Sequence, residues 1–438
     1  MPRRRCVVWA VVLPPVLSVA VLLSTTRLSA EPPGGDVRIA SLIHQLGSAD
    51  YIERTQANEN LAEVGSAARA QLEAAARDQD AEIRLRAKEL LARLKVQELW
   101  SASPLCMEAG TMTVSKLFNS LGTLSGNRIL MGDQYGSFHE QDIACAAEGA
   151  TFWQWIDDVC KRSGNRVRPH YDTRQPGLVV IAGAATKFPV AYAGPVRAQI
   201  TTARRVFTEE LDYENLSSEL SHTFQLGVQM MWEDRFRLVA YRSQPDLVAA
   251  VADNGLRLAA SQSSGNGWNV AGSGTRQLTT SLRLQPPSTA AKELDTLELK
   301  WGLIAVGDMV SLDVTNLTST EPHFQDDVEL VVESMTQGPG ARCELTVSVL
   351  RELVIPEPQD VLFQENEIEL IDAQGRPYRK QGQSNSLSET GAKMKVTFLG
   401  ESSDSVPRTL KFIYPRIRSE RELSIVFRHV PLPVGKPE

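Results

Sequence analysis

The sequence has little of what holds a metal or carries out catalysis. Its 438 residues include five cysteines and six histidines, which are scattered and form no HExxH, zinc-spaced Cys/His or 2-His-1-carboxylate grouping. The nucleophile elbow GxSxG and the phosphate-binding loop GxxxxGK[ST] are also absent. We therefore predict that the protein is not an enzyme and has no catalytic residue, metal ligand or cofactor.

The chain also lacks a basic excess. Its 46 Lys and Arg residues are outnumbered by 53 Asp and Glu residues, which gives a net charge of −7. A surface that binds a phosphate backbone needs clustered positive charge, so we predict no nucleic-acid partner. The acidic pairs Asp157-Asp158, Asp326-Asp327 and Glu209-Glu210 are sequence neighbours whose side chains point in different directions, which is not the facing geometry of a glycosidase.

Long uncharged apolar runs are confined to the N-terminus. Arg3 to Arg5 precede an apolar stretch over residues 6–24, and Leu28-Ser29-Ala30 offers small residues before a cleavage point. Pro14-Pro15 would break a spanning helix. We predict a signal peptide over residues 1–30, a periplasmic or extracellular location and no integral membrane domain after the leader. An uncleaved N-terminal membrane anchor is the alternative.

Cysteine is sparse after the leader. Cys106, Cys145, Cys160 and Cys343 remain, and export would place them where disulfides persist. Reduced, buried thiols are the simplest interpretation because free cysteine behaves as a small apolar residue. A bridge from Cys145 to either Cys106 or Cys160 is the alternative, and the sequence does not choose between them.

Two stretches that lie thirty residues apart carry nearly the same letters. The first stretch contains Asp50, Arg54, Ala57, Glu59, Leu61 and Ala62. The same residue types occur in the same order in the second stretch, as Asp80, Arg84, Ala87, Glu89, Leu91 and Ala92. A fixed period of this length is typical of stacked helical hairpins. We predict helices over residues 36–98, with Asp50 and Asp80 as N-caps, Glu53 completing a capping box and Gly65 ending a helix.

The repeated Asp-x-x-x-Arg-x-x-Ala-x-x-x-Leu pattern resembles short HEAT-like repeats of about thirty residues. It begins at Asp50 and again at Asp80 and covers about a seventh of the chain. The resemblance implies a helical stack that binds a partner or a neighbouring domain. We expect Arg54 and Arg84 to pair with acidic caps between the units.

Residues 104–184 change character. The stretches LFNSLGTLSGNRI and FWQWIDDVCKRSGNRV each predict a short helix, a Ser-Gly-Asn-Arg turn and a strand. A hairpin is predicted to follow between residues 167–171 and 178–181. The order resembles the short N-terminal domain of secretins and TonB-dependent receptors, and the resemblance implies recognition of other envelope proteins. The membrane barrel of those families is absent, so their transport function does not carry over.

From residue 186 onward, short strands of period 2 dominate. They predict a β-sandwich-like domain over residues 186–355 and a second, smaller β domain over residues 359–434, with Pro356-Glu357-Pro358 between them. The predicted fold class is therefore multidomain α + β: a short HEAT-like array, a small α+β domain and C-terminal antiparallel β-sandwich-like domains.

Three tryptophans are candidate interaction residues. Trp100 follows the last repeat, Trp153 flanks the apolar face of its helix and Trp268 tips a glycine-rich loop at residues 263–274. Burial in a wide core face is the other interpretation of Trp153.

We predict from the sequence that the protein is a non-enzymatic adaptor or scaffold that binds other envelope proteins. The alternative is a carbohydrate or cell-wall polymer binding protein. Its stacking platforms would be drawn from Trp232, Trp268, Trp301 and Tyr241.

Overall fold

The computed structural model describes residues 35–132, 134–145, 149–170, 177–183, 187–215, 217–261, 267–271, 276–288, 290–351, 366–387, 391–402 and 404–433. About 23% of them are helical and 50% lie in strands, which confirms the mixed helical and antiparallel β composition. The leader and the Pro356-Glu357-Pro358 segment lie outside the described residues. None of the described helices combines the length and apolar character needed to cross a membrane.

The chain forms two compact units, Met1–Leu91 and Ala92–Glu438. Helices of the first unit are α1 (Gly35–Gln45), α2 (Tyr51–Val64), α3 (Arg69–Ala75) and the start of α4 (Ala81–Trp100), with a 3-10 turn over Gly65–Ala68. The predicted helices are thus present, but the division between the units falls inside α4 rather than at residue 98. The core of the first unit is made of small and medium apolar side chains: Leu46, Ala57, Leu61, Leu72 and Ala87.

The sequence repeat is also a repeat of contacts. Arg54 Nη1 donates to the carbonyl oxygens six and five residues earlier, at 2.6 and 3.1 Å. Arg84 Nη1 makes the same two contacts at 2.6 and 3.3 Å. Arg54 also pairs with Glu82 in the next repeat, with Nε 3.4 Å from Oε1. Each arginine therefore stabilises the turn before its own helix, because that turn leaves carbonyl oxygens without helical partners.

The helix caps follow the predicted pattern with one exception. Asp50 accepts from the backbone N–H of Ile52 at 2.8 Å, and Asp80 accepts from that of Glu82 at 2.8 Å. Gly65 ends α2 with a φ of 69°. The predicted capping box is wrong, because Glu53 does not reach the backbone of Asp50.

The Ser48 hydroxyl bonds both to the Glu53 side chain and to the Asp50 backbone. Ser48 donates its hydroxyl to Glu53 Oε2 at 2.6 Å and accepts from the Asp50 N–H at 3.1 Å. The serine hydroxyl is therefore the group that satisfies the N-cap N–H.

The second unit begins with a small α+β region. Its elements are β1 (Gly110–Thr113), α5 (Val114–Ser125), β2 (Ile129–Leu130), β3 (Asp142–Cys145), α6 (Phe152–Ser163), β4 (Asn165–His170) and β5 (Gly177–Ala182). Strand β5 pairs in parallel with β2 and antiparallel with β4, which confirms the predicted hairpin. Gly126 and Gly164 end the two helices at φ values of 70° and 69°, where glycine carries no steric penalty.

Fifteen further strands form the rest of the described unit: β6 (Val190–Ala193), β7 (Val196–Asp212), β8 (Ser217–Trp232), β9 (Arg237–Arg242), β10 (Asp246–Ala252), β11 (Trp268–Val270), β12 (Gln277–Leu284), β13 (Glu293–Val314), β14 (His323–Gln325), β15 (Val328–Gln337), β16 (Arg342–Arg351), β17 (Glu367–Asp372), β18 (Arg379–Leu387), β19 (Gly391–Leu399) and β20 (Pro407–Pro431). They make three antiparallel sheets. The strand orders are β12-β8-β7-β6, β11-β9-β13-β20-β17 with β10 also on β13, and β14-β15-β16-β19-β18.

Two long strands are shared by two hydrophobic cores. Strands β13 and β20 have 22 and 25 residues and pair antiparallel along their length. Leu299 and Ile425 lie in the first core, against the four-stranded sheet. Leu312 and Phe412 lie in the second core, against the five-stranded sheet. The middle sheet therefore contributes to both sandwich-like cores.

The sheets do not follow the predicted boundary between residues 355 and 359. Strand β16 pairs with β19, and β13 pairs with β20, so strands from both sides of the boundary hydrogen-bond to each other. The middle sheet and the five-stranded sheet therefore each contain strands from both sides of the predicted boundary. A boundary placed by turn residues and proline does not detect this pairing, because period-2 patterns carry no information about which strand is the neighbour.

Candidate functional site

A groove of about 830 Å³ lies between the small α+β region and the four-stranded sheet. Helix α6 and strand β4 form one wall, and strands β6, β7, β8 and β12 form the other. It is lined by Asp157, Cys160, Lys161, Asn165, Arg166, Val167, Arg168, Pro169, Lys187, Phe188, Val190, Tyr192, Arg197, Gln199, Gln229, Met231 and Gln277. These residues are called the groove below.

A row of three glutamines crosses the sheet at the bottom of the groove. Gln199 Nε2 donates to Gln229 Oε1 at 2.5 Å, and Gln229 Nε2 donates to Gln277 Oε1 at 3.0 Å. They come from the neighbouring strands β7, β8 and β12, where Gln199 and Gln229 are direct cross-strand partners. A glutamine amide has two N–H groups, and each of these bonds uses one of them.

The row continues into a buried ion pair. Arg197 Nη1 donates to Gln199 Oε1 at 2.7 Å, and Arg197 Nε donates to the Asp157 carboxylate at 3.0 and 2.7 Å. Tyr192 donates its hydroxyl to Asp157 Oδ2 at 2.6 Å. The Arg197 side chain is only 5% exposed, so its charge requires the carboxylate of α6. The contact fixes α6 against the sheet and shapes the groove.

Two acidic groups of the groove keep their protons at neutral pH. Burial, followed by the nearby Asp157 charge and the hydrogen bond to it, raises the pKa of the Tyr192 phenol well above its ordinary value. Burial raises the pKa of the Cys160 thiol to about 12, with a further contribution from Asp157. A neutral thiol is a poor nucleophile.

Four cations surround the groove: Lys161, Arg166, Arg168 and Lys187. All four are exposed, and within the described part of the chain none of them has an ion-pair partner. Phe188 and Tyr192 lie beside them with 39% and 40% of their surface exposed. The groove thus combines positive charge, amide N–H groups and aromatic surface, which suits an extended anionic ligand.

The predicted interaction residue Trp100 is buried. It is 3% exposed, packs edge-on against Phe236 at 5.0 Å between ring centroids and donates Nε1–H to Ser419 Oγ at 3.0 Å. Its contacts lie in the first core, so it holds the end of α4 on the β structure and presents no free surface.

Trp153 is buried as well, which agrees with the core-face interpretation. It is 1% exposed and donates Nε1–H to the carbonyl oxygen of Pro195 at 2.9 Å. The bond joins α6 to the turn between β6 and β7. Trp153 therefore helps to place one wall of the groove.

Trp268 is the most accessible of the three. It lies half-buried on the outer face of the middle sheet, with the Arg242 guanidinium 4.4 Å from its ring centroid. Most of the glycine-rich loop that precedes and follows it lies outside the described residues.

The other proposed stacking platforms are largely enclosed. Trp232 and Trp301 are 2% and 0% exposed, and Tyr241 is half-buried against the first core. A buried ring cannot stack on a sugar, so Trp232 and Trp301 do not serve as platforms.

The cysteines are free thiols in the structure, and neither predicted bridge is formed. Cys106 is exposed, whereas Cys145, Cys160 and Cys343 are buried. The disulfide stays a prediction that thiol titration can test.

One grouping could accommodate a cation. Ligand atoms of Glu293, Asp295 and His429 lie within 4.8 Å of one another where β13 pairs with β20. His429 Nδ1 is 3.0 Å from Glu293 Oε1, and this contact already accounts for the closeness of the two residues. No other feature of these residues points to a metal.

Sequence reasoning missed the groove because its polar residues come from six elements. Gln199, Gln229 and Gln277 resemble the solvent face of ordinary strands, and the four cations are single residues in different segments. The available signal was the recurrence of Lys and Arg over residues 161–168 in an acidic chain.

The chain matches no family model, no curated protein and no solved structure.

Proposed function

We propose that this protein is a non-enzymatic adaptor or scaffold that works outside the cytoplasm and holds an acidic segment of a partner protein in the groove. The observation that carries the proposal is the set of four exposed cations around the amide-lined groove, for which the described residues provide no ion-pair partner. Charged surfaces of this kind direct the encounter with an oppositely charged partner and select against like charge.

The chemistry of the groove supports binding rather than turnover. Tyr192 and Cys160 hold their protons, and Asp157 is engaged by Arg197 and Tyr192. A catalytic carboxylate or thiol needs a free or activated form near neutral pH. These groups instead form a fixed polar lining.

The helical unit supports an adaptor with a second contact surface. Tyr51 and Ile52 at the start of α2 are 67% and 74% exposed, and Leu85 on α4 is 55% exposed. Together with the resemblance to HEAT-like repeats, this exposed apolar surface supports a docking role for the first unit. The signal peptide predicted over residues 1–30 is the reason for placing the protein outside the cytoplasm.

An acidic-peptide titration tests the proposal. We expect a fluorescein-labelled Glu-rich peptide to bind the leaderless chain, and the matched Gln-rich peptide to show no binding. Binding should weaken at least tenfold when salt rises from 50 to 200 mM. The variant Arg166→Glu/Arg168→Glu should lose binding, whereas Lys300→Glu/Arg408→Glu reverses two exposed cations outside the groove and should keep it. Equal losses in both variants would contradict a site in the groove.

An anionic glycan is the second candidate ligand, favoured by the exposed Phe188 and Tyr192 beside the cations. A uronic-acid oligosaccharide added to the peptide complex distinguishes the two. Displacement of the peptide by the glycan at lower concentration would favour the polymer-binding function. If the peptide leaves the groove when salt is added but not when the glycan is added, the result supports the protein partner.

A further inference from the structure

We propose that the acidic segment taken up by the groove is the β7–β8 ribbon of a second copy of this chain, so that copies associate head to tail. The inference rests on the proposed function, since it names the occupant of the same groove. The ribbon is defined as residues 205–215 and 217–223, the described part of the β7–β8 hairpin that extends beyond its neighbouring strands.

The ribbon is paired only with itself among the described strands. Strands β7 and β8 pair from Val196 and Trp232 at the base to Asp212 and Ser217 at the tip. Strand β6 accompanies β7 only as far as Gln199, and β12 accompanies β8 only as far as Phe224. A ribbon of this kind offers two open edges and two faces to a partner.

The tip of the ribbon is acidic and apolar. Glu209, Glu210, Asp212 and Glu214 are all exposed, and no basic residue occurs between residues 207 and 215. Phe207, Leu211 and Tyr213 are 73%, 48% and 81% exposed. Aromatic residues are enriched at protein–protein interfaces, and exposed apolar side chains rimmed by polar residues mark interaction sites.

The tip is also preorganised. Asp212 Oδ1 accepts from the backbone N–H of Glu214 at 2.8 Å, and Oδ2 accepts from Asn215 Nδ2 at 2.6 Å. Phe207 stacks on His222 with 4.1 Å between ring centroids. An ordered tip loses less conformational entropy on binding than a disordered segment.

The two surfaces are complementary in charge and in apolar content. The ribbon tip carries four exposed carboxylates, and four exposed cations surround the groove. Phe207 and Tyr213 match Phe188 and Tyr192, which are the exposed aromatic residues beside the cations. Opposite potentials combined with aromatic contacts fix both the orientation and the specificity of an interface.

The ribbon cannot enter the groove of its own molecule. Gln199 in the groove and Asp212 at the tip belong to the same strand, β7, and thirteen residues separate them. At about 3.3 Å per residue the tip lies roughly 43 Å from the groove along the strand direction. The occupant therefore comes from another copy.

Contact between unlike surfaces is a heterologous interface. An open assembly keeps one free groove and one free ribbon at its ends, so repeated association gives a filament, or a ring when the two ends meet. An adaptor that assembles in this way would present its helical units at regular intervals, which is the property of a scaffold.

Sedimentation velocity of the leaderless chain from 1 to 200 µM tests the inference. We expect concentration-dependent association in 50 mM salt and dissociation in 500 mM salt. The groove variant Arg166→Glu/Arg168→Glu and the ribbon variant Glu209→Lys/Glu210→Lys should each be monomeric. Lys300→Glu/Arg408→Glu is the matched control and should associate like the wild type. Circular dichroism confirms that each variant is folded.

Mixing the two variants gives the sharper result. The groove variant keeps an intact ribbon and the ribbon variant keeps an intact groove, so we expect the mixture to associate although each variant alone stays monomeric. A chain carrying both charge reversals should associate again, because the opposite charges are restored with exchanged sign. A mixture that stays monomeric, together with a monomeric double reversal, would overturn the inference.

The failures are distinguishable. A wild-type chain that stays monomeric while the Glu-rich peptide binds the groove overturns self-association and leaves the proposed function standing. Association that survives both charge reversals, together with no peptide binding, overturns both.

Discussion

Arg197 and Asp157 form the contact on which the groove depends. The arginine Nε–H is shared between the two carboxylate oxygens at 3.0 and 2.7 Å and joins strand β7 to helix α6. The side chains are 5% and 25% exposed. Because an unpaired guanidinium is costly at such a buried position, this ion pair determines how α6 packs on the sheet.

The first prediction concerns this ion pair. Asp157→Asn removes the charge that compensates Arg197, and we expect a loss of roughly 3 kcal/mol in the free energy of unfolding. Asp158→Asn is the control, since Asp158 pairs with Arg162 at the surface, where such pairs contribute about 1 kcal/mol or less. Urea denaturation measures both. Equal losses for the two variants would show that Arg197 does not depend on Asp157.

The second prediction concerns Tyr192 at alkaline pH. Burial and Asp157 favour the neutral phenol in the folded state, so the unfolded chain loses this proton first as the pH rises. The contribution of Tyr192 to stability is therefore complete below its unfolded pKa of about 10 and is lost as the pH rises towards the higher folded pKa.

The comparison with Tyr192→Phe isolates this contribution. Between pH 10 and 11 the wild type should lose more stability than the variant, which has no phenol at position 192. Absorbance at 295 nm at pH 10.5 should be nearly the same in the folded wild type and in Tyr192→Phe, because the Tyr192 phenol of the wild type is still protonated. Identical pH profiles of the two proteins would refute the prediction.

The third prediction concerns the thiols. In a leaderless chain, one thiol should react quickly with a disulfide reagent, and this thiol is Cys106 because it is exposed. Cys145, Cys160 and Cys343 are buried, and burial raises the pKa of each, so they should react only after denaturation. Cys106→Ser should abolish the fast phase. Two missing thiols in the denatured, unreduced protein would establish a disulfide in its place.

The fourth prediction separates the tryptophans. Trp100→Ala removes a ring that is 3% exposed and should destabilise the second unit by about 3–5 kcal/mol. Trp268→Ala removes a half-buried ring on the outer sheet face and should cost less. Thermal and urea unfolding compare them. A larger loss for Trp268 would mean that the outer face, rather than the end of α4, anchors the sheet.

Local features of the fold were predictable because their causes lie within a few residues. Asp50 and Asp80 cap helices through bonds two residues long, and Gly126 and Gly164 end helices through their own φ angles. The capping box failed for an equally local reason, since Ser48 competes for Glu53. The hairpin of β4 and β5 was likewise signalled by nearby turn residues.

The interaction residues were predicted less well. Tryptophan is common both in cores and at interfaces, and the sequence does not show whether a distant segment packs over the ring and buries it. Trp100 is enclosed by Phe236 and Ser419, which lie far away in the chain. Only packing of these distant segments shows that the ring is unavailable.

The sequence alone determined where helices begin and end, that the first segment repeats and that the remainder is rich in strands. Those properties follow from side-chain periodicity and short-range hydrogen bonds. The tertiary structure decided that β13 and β20 serve two cores and that Gln199, Gln229 and Gln277 meet at the groove. The reason is that alternation along a strand specifies which face is buried, whereas the neighbouring strand is selected by packing between residues far apart in the chain.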